Sequence, residues 1–144
     1  MWSFFTNKYL GTNFFAAGQE EYTALQSQWI RSGEGFVLLY SITDRSTFEE
    51  VERFRAKILN VRYLTCALDT DSYLQVKDVS SSKAPPIVLV GNKADLEETR
   101  EVSTSEGQEL AKIFNCDFFE ASAKTRTNVQ ERYIHHHLRW IWRL

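Results

Sequence analysis

Asn92, Lys93 and Asp95 place a carboxamide, an ammonium and a carboxylate within the four residues Asn-Lys-Ala-Asp, directly after the apolar run "PPIVLVG". Further along, Ser122, Ala123 and Lys124 follow a second run, "DFFEA", in the same way. Polar groups of these types at the mouths of buried strands suit recognition of a planar heterocycle. A carboxylate such as Asp95 accepts two parallel N–H donors in bidentate fashion, and a backbone N–H from the Ser122–Ala123–Lys124 turn can meet a carbonyl acceptor. Lys93 and Lys124 can lay their alkyl stems over the two ring faces.

Guanine offers the matching edge. Its N1–H and exocyclic amino group are the paired donors, and its O6 is the acceptor. Adenine carries an amino group at that last position and would leave buried groups unpaired, so a site of this kind discriminates strongly. Asn-Lys-Ala-Asp standing alone would fit a surface turn with a helix cap equally well. The second motif, with its own preceding strand, argues against that plainer reading.

These loops need elements to hold them. Residues 35–42, "GFVLLYSI", are near-continuously apolar, as a strand buried on both faces is. Ser46 and Glu49 have the spacing of a capping box, and Phe48, Val51, Phe54 and Ile58 then recur at helical period. The stretch from Leu64, "LTCALDTDSYLQVKDVSSSKA", lacks a clean period and reads as a long loop, 64–83, of a length unusual inside a compact domain. Residues 87–90 form a second strand. Ser103 and Glu106 open another helix carrying Leu110, Ile113 and Phe114. Residues 117–121 form a third strand, and Asn128 starts a last helix with Val129 and Tyr133. Strands alternating with helices predict an α/β layer sandwich with parallel strands, whose ligands bind beyond the strands' C-terminal ends.

At 144 residues the chain suffices for one domain with a core, and its net charge of −2 disfavours broad attraction to nucleic acid or anionic lipid. Cys66 and Cys116 make neither a disulfide framework nor a zinc site, so the expected setting is reducing and cytoplasmic. The longest apolar runs are too short to span a bilayer, and "MWSFFTNKYLGTNFFAAG" does not have the form of a signal peptide. No lipidatable cysteine lies near "RWIWRL", so no prenyl anchor and no direct membrane anchor are expected.

Residues 17–131 resemble the later two-thirds of a Ras-family small GTPase. "AAGQEEYTALQSQWIRSGEGFVLLYSITDRSTFEEV", "IVLVGNKADL" and "FFEASAKTRTNV" stand in the expected order. The resemblance implies a three-layer, P-loop-NTPase-like fold with a mainly parallel sheet, here without its N-terminal strand–loop–helix part. It implies GTP and GDP as ligands with Mg2+, and signalling through regulators and effectors at the cytoplasmic face of the plasma membrane. It further implies that Asn92, Lys93 and Asp95 recognise guanine, with Ser122, Ala123 and Lys124 as the second base loop. Gly18 would sense the γ-phosphate, and Gln19 would be the catalytic residue that orients the attacking water.

Departures from the family pattern bear on activity. No G-x-x-x-x-G-K-[ST] phosphate loop occurs in the 144 residues, and Gly11 stands alone in "YLGTNFF". The first-switch threonine has no counterpart, and the magnesium-shell aspartate of "DTAGQ" is replaced by Phe15, so no metal ligands are assigned. The expected outcome is base recognition without competent phosphate binding or hydrolysis. Losing the family's central strand should also expose an edge of the 35–42 strand. A role for Phe4, Phe5, Phe14 and Phe15 in replacing the lost core is left open.

Residues 1–16 and 132–144 diverge from the family. With the surplus "VRYLTCALDTDSYLQ", they fit one hypothesis, a mis-assembled reading frame containing a retained in-frame intron. The rival is a non-catalytic fragment that presents the switch-two-like surface around Gln19 to Tyr22. Consecutive His135, His136 and His137 point apart on a helix and make no metal site. Glu20 and Glu21 face apart on any regular element. Trp140 and Trp142 beside Arg139 and Arg143 read as a frayed tail rather than a membrane contact.

Overall fold

The computed structural model describes residues 2–7, 12–17, 27–28, 30–31, 33, 35–68 and 85–129, with side chains for 27–28, 30–31, 33, 35–61 and 85–129. Five strands form one sheet: β1 (Trp2–Asn7), β2 (Thr12–Ala17), β3 (Gly35–Ser41), β4 (Ile87–Asn92) and β5 (Asp117–Ala121), in the spatial order β2-β1-β3-β4-β5. The trio β3, β4 and β5 is parallel, as the alternating sequence pattern predicts. Helix α1 (Arg45–Leu68) connects towards β4 and helix α2 (Thr104–Phe114) connects β4 to β5. None of the described helices is long and apolar enough to cross a membrane.

Side-chain alternation along β3 divides the core between the sheet's faces. Phe36, Leu38 and Tyr40 join Ile42, Val51, Ile58, Leu89, Leu110 and Phe114 beneath α1 and α2. Val37 joins Val88, Val90 and Ala121 on the other face, with Leu39 and Phe119 packed beside them. Burial on both faces explains why the sequence of β3 is almost unbroken in its apolarity.

The expected open edge on β3 is not there. β1 pairs with β3 in antiparallel register, Trp2 opposite Leu39 and Thr6 opposite Gly35, and β2 folds back on β1 with Ala17 opposite Trp2. Backbone groups of a central strand need partners, and an N-terminal hairpin supplies them. The side chains of Phe4, Phe5, Phe14 and Phe15 lie outside the described ones.

Four helix expectations need correction, the last of them at Asn128. The cap of α1 is Asp44, not Ser46. Its Oδ1 accepts from the Ser46 N–H at 3.1 Å, the Thr47 N–H at 3.4 Å and the Ser46 hydroxyl at 2.7 Å. With Asp44 accepting from the N–H groups two and three residues on, the helix begins at Arg45, one residue before Ser46. Residues 64–68, expected in a loop, are the last of α1, a 24-residue helix about 36 Å long. Neither glycine nor proline occurs between Gly35 and Pro85, so nothing local ends it sooner. Residues 69–84 lie outside the described ones. Ile113, expected on the buried face of α2, is 71% exposed, whereas Leu110 and Phe114 are buried.

The α2 capping box forms as its spacing predicts: Ser103 Oγ accepts from the Glu106 N–H and Glu106 Oε2 accepts from the Ser103 N–H. Asn115 closes the helix in the left-handed region, φ 53°, where asparagine is tolerated next best after glycine. Asn128, expected to open a helix, lies in a turn at φ 54°, and its side-chain amide donates to the Glu120 carbonyl at 2.7 Å. That bond holds it in the loop. Residues beyond 129, including Tyr133 and the histidines, lie outside the described ones.

Candidate functional site

Asn92 ends β4 in register with Ser41 on one side and Ala121 on the other, so the chain leaves the sheet at the tips of three parallel strands. Its Oδ1 accepts from the Lys93 N–H at 2.8 Å, which supports Lys93 at φ 68°. A lysine in that region carries backbone strain of about 1–2 kcal/mol. The turn is then pinned twice: Ala94 N–H donates to the Ala121 carbonyl at 3.0 Å, and Leu96 N–H to the Lys93 carbonyl at 2.9 Å. Backbone bonding across β4 and β5 thus places Asp95 over the end of β5.

The second loop is closed by its own backbone. Ser122 and Thr127 exchange N–H to carbonyl bonds at 3.0 and 3.1 Å, so residues 123–126 project as a small lobe. Ser122 is 1% exposed, and its buried hydroxyl is satisfied in both directions. It donates to Asp95 Oδ1 at 2.5 Å and accepts from the Thr125 N–H at 3.1 Å. Ser122 and Thr125 thereby use their N–H groups inside the lobe. The N–H groups of Ala123 and Lys124 have no partner among the described residues.

The Ser122 hydroxyl holds the Asp95 carboxyl below the usual carboxylate range, helped by the Asp95 backbone N–H and the charges of Lys124 and Lys93. Asp95 is therefore an anion at neutral pH, and one of its oxygens is already oriented. Six of the residues singled out from sequence, Asn92, Lys93, Asp95, Ser122, Ala123 and Lys124, lie on these two adjoining loops, with Asp95 and Ser122 in direct contact. Gly18 and Gln19 lie outside the described residues. The described part of β2 ends at Ala17, opposite Trp2, which is opposite Leu39, so Ala17 lies at the same end of the sheet as the tips of β3, β4 and β5.

Sequence reasoning missed the layer beneath. Arg100 donates to Glu97 from Nε at 2.9 Å and Nη2 at 2.6 Å, and to Glu120 from Nη1 at 2.8 Å and Nη2 at 2.9 Å. Nη1 also reaches the Val102 carbonyl at 3.0 Å, and Thr104 Oγ1 donates to Glu120 Oε1 at 3.0 Å. Glu120 was visible as the one charge in "FFEA" of an otherwise apolar strand end. Its partner, 20 residues earlier, left no local signal.

Parallel strands, intervening helices and two polar loops meeting beyond the strand tips define an α/β protein of the kind that takes a ligand at its strands' C-terminal ends. The chain belongs to the Ras family, whose family model matches residues 14–139. It is 51% identical over 118 residues to Protein ras-2 of Neurospora crassa, covering 81% of this chain and 52% of that one. It is 48% identical over 117 residues to Ras-like protein 1 of Pyricularia oryzae, covering 81% and 48%. Against Ras-like protein 2 of Mucor circinelloides, identity is 45% over 117 residues, covering 81% and 50%. The chain thus spans about half the length of the curated relatives it matches.

Proposed function

We propose that this chain, with 17–131 as a partial GTPase unit, binds the guanine base of GTP or GDP but grips the phosphates and Mg2+ poorly and is at most a feeble hydrolase. The observation that carries the reading is the Ser122–Asp95 contact, which draws the two loops together around one ionised carboxylate. Asp95 accepts from guanine N1–H and the exocyclic amino group. The N–H groups of Ala123 and Lys124, without a partner among the described residues, would donate to O6, and Lys93 and Lys124 would flank the ring.

Strand direction supports the second half of the proposal. A phosphate loop leaves the C-terminal end of a parallel strand and runs into a helix. The strand beside β3 here is β1, which is antiparallel, so its C-terminal residue Asn7 lies at the sheet's far end from Ser41. The residues do not fit a magnesium ion either. Phe15 offers no oxygen where the family places an aspartate. On this reading Gln19 has no firmly held γ-phosphate on which to act. Charge-assisted hydrogen bonds contribute about 1.5–3 kcal/mol each, whereas association costs on the order of 4–15 kcal/mol. Base contacts alone leave a dissociation constant of about 1 mM at best.

A second reading is a non-catalytic module that presents residues 19–22 to the regulators or effectors of its family. What favours it is β2, which delivers the chain at Ala17 to the ligand end of the sheet irrespective of nucleotide. Base recognition is tested by Asp95→Asn. The amide replaces an acceptor with a donor, so guanosine binding should vanish while xanthosine, with a carbonyl at C2, gains. Ligand-observed NMR reads both. Unchanged guanosine binding by the variant would remove Asp95 from the site.

A further inference from the structure

We propose that Arg100 is a positioning residue for the base site, clamping the loop that carries Asp95 to the strand β5 that leads into Ser122. The proposal rests on the guanine-recognition reading for its functional consequence, but not for its mechanics. Glu97 lies two residues after Asp95, and Glu120 lies two residues before Ser122. One guanidinium engages both carboxylates, each through two nitrogen–oxygen bonds, and spends its remaining N–H on the Val102 carbonyl. All five donors of the planar fork are thus used.

The two arms differ. The Arg100 and Glu120 side chains are 13% and 18% exposed, so their pair is shielded and geometrically fixed; Glu97 is 69% exposed and forms the outer arm. Glu120 is itself held from two further directions, by Thr104 at the start of α2 and by Asn128, whose amide bonds its carbonyl. Glu120 is therefore the fixed post and the loop at 95–99 the part being held. The only side-chain link between the loops at the site itself is the Ser122–Asp95 bond, among the described residues. Without the clamp, that single contact and the Ala94–Ala121 backbone bond would have to define the separation of Asp95 from the Ala123 and Lys124 N–H groups. Lysine cannot substitute, because three donors on a point charge cannot hold two carboxylates in bidentate fashion.

The test uses the full chain and follows the Asp95 carboxyl by carbon-13 NMR titration, alongside guanosine affinity and thermal stability. In Arg100→Lys, the Asp95 titration is expected to move up towards the ordinary value of about 3.9 as its bond to Ser122 loosens. Guanosine affinity should fall about tenfold, the equivalent of one charge-assisted bond. Glu97→Gln, at an exposed position, cuts only the loop-side arm and should shift Asp95 in the same direction in a protein that melts as the parent does. It keeps the test open if Arg100→Lys fails to fold. An unmoved Asp95 titration in folded Arg100→Lys or in Glu97→Gln would overturn the clamp. A moved titration in a chain that binds no guanosine would uphold the clamp and overturn the base-recognition reading instead.

Discussion

The Glu106 carboxyl is held down to about 2, and the cause is local. The Ser103 N–H donates to it first of all, then the Arg45 guanidinium and the Ser103 hydroxyl. An unfolded glutamate titrates at about 4.3, so on acidification the unfolded chain takes up this proton before the folded one. Stability supplied by Glu106 is therefore intact above about pH 4.5 and lost as the pH falls towards about 2. Urea denaturation at stepped pH should show that decline, with a shallower slope in Glu106→Gln. Equal slopes would mean that the capping-box carboxylate does not govern acid stability. Asp44 and Asp95 are also held low, by Ser46 and Ser122 hydroxyls respectively, so some slope remains in the variant. At this scale the sequence was most readable where partners are three residues apart, as in Ser103 and Glu106. It was silent on Arg100 and Glu120, which tertiary structure alone brings together.

Helix α1 shows how a local pattern can be right in kind and wrong in detail. The apolar spacing of Val51 and Ile58 identifies its buried face, and both are fully buried. The spacing Ser46–Glu49 imitates a capping box, but Asp44 takes the cap by accepting from two backbone N–H groups. Asp44→Ala should cost about 1 kcal/mol of stability, while Ser46→Ala, which leaves the Asp44 backbone contacts in place, should cost much less. Thermal melts of the pair check the assignment, and the reverse order would restore Ser46 as the cap. Helix α2 carries a different surprise in Gly107. Mid-helix Gly→Ala ordinarily stabilises by about 0.5–1 kcal/mol. Here a Cβ would lie 2.5 Å from the Oη of buried Tyr40 and 2.6 Å from the Cζ of Phe118, which packs against the core. Gly107→Ala should instead destabilise by about 1–3 kcal/mol through overpacking, read by urea titration. A more stable variant would show that α2 can back away from the sheet. The glycine was visible in the sequence, but its reason was not, since two of its neighbours come from other strands.

At the scale of the whole molecule, the three parallel strands and the loops at their tips were legible because each strand is a contiguous apolar run ending in a distinctive polar motif. The N-terminal hairpin was not. Its register depends on pairing with β3, and "WSFFTN" and "TNFFAA" lack the alternation that would announce a face. That hairpin occupies the place beside β3 where the family's phosphate-loop strand belongs, and it runs the opposite way. The sheet is extended beyond β3 by a strand whose C-terminal end lies away from the base-site loops, which supports the proposed loss of phosphate binding. Central to this account is a chain that reads the base and has lost its hold on the phosphates. Parallel titrations of the 144-residue protein with guanosine and with GDP plus Mg2+ address it most directly. The account predicts two weak, similar dissociation constants of about 1 mM or above, unaffected by the metal. GDP binding a hundredfold or more tighter than guanosine, and dependent on Mg2+, would contradict it.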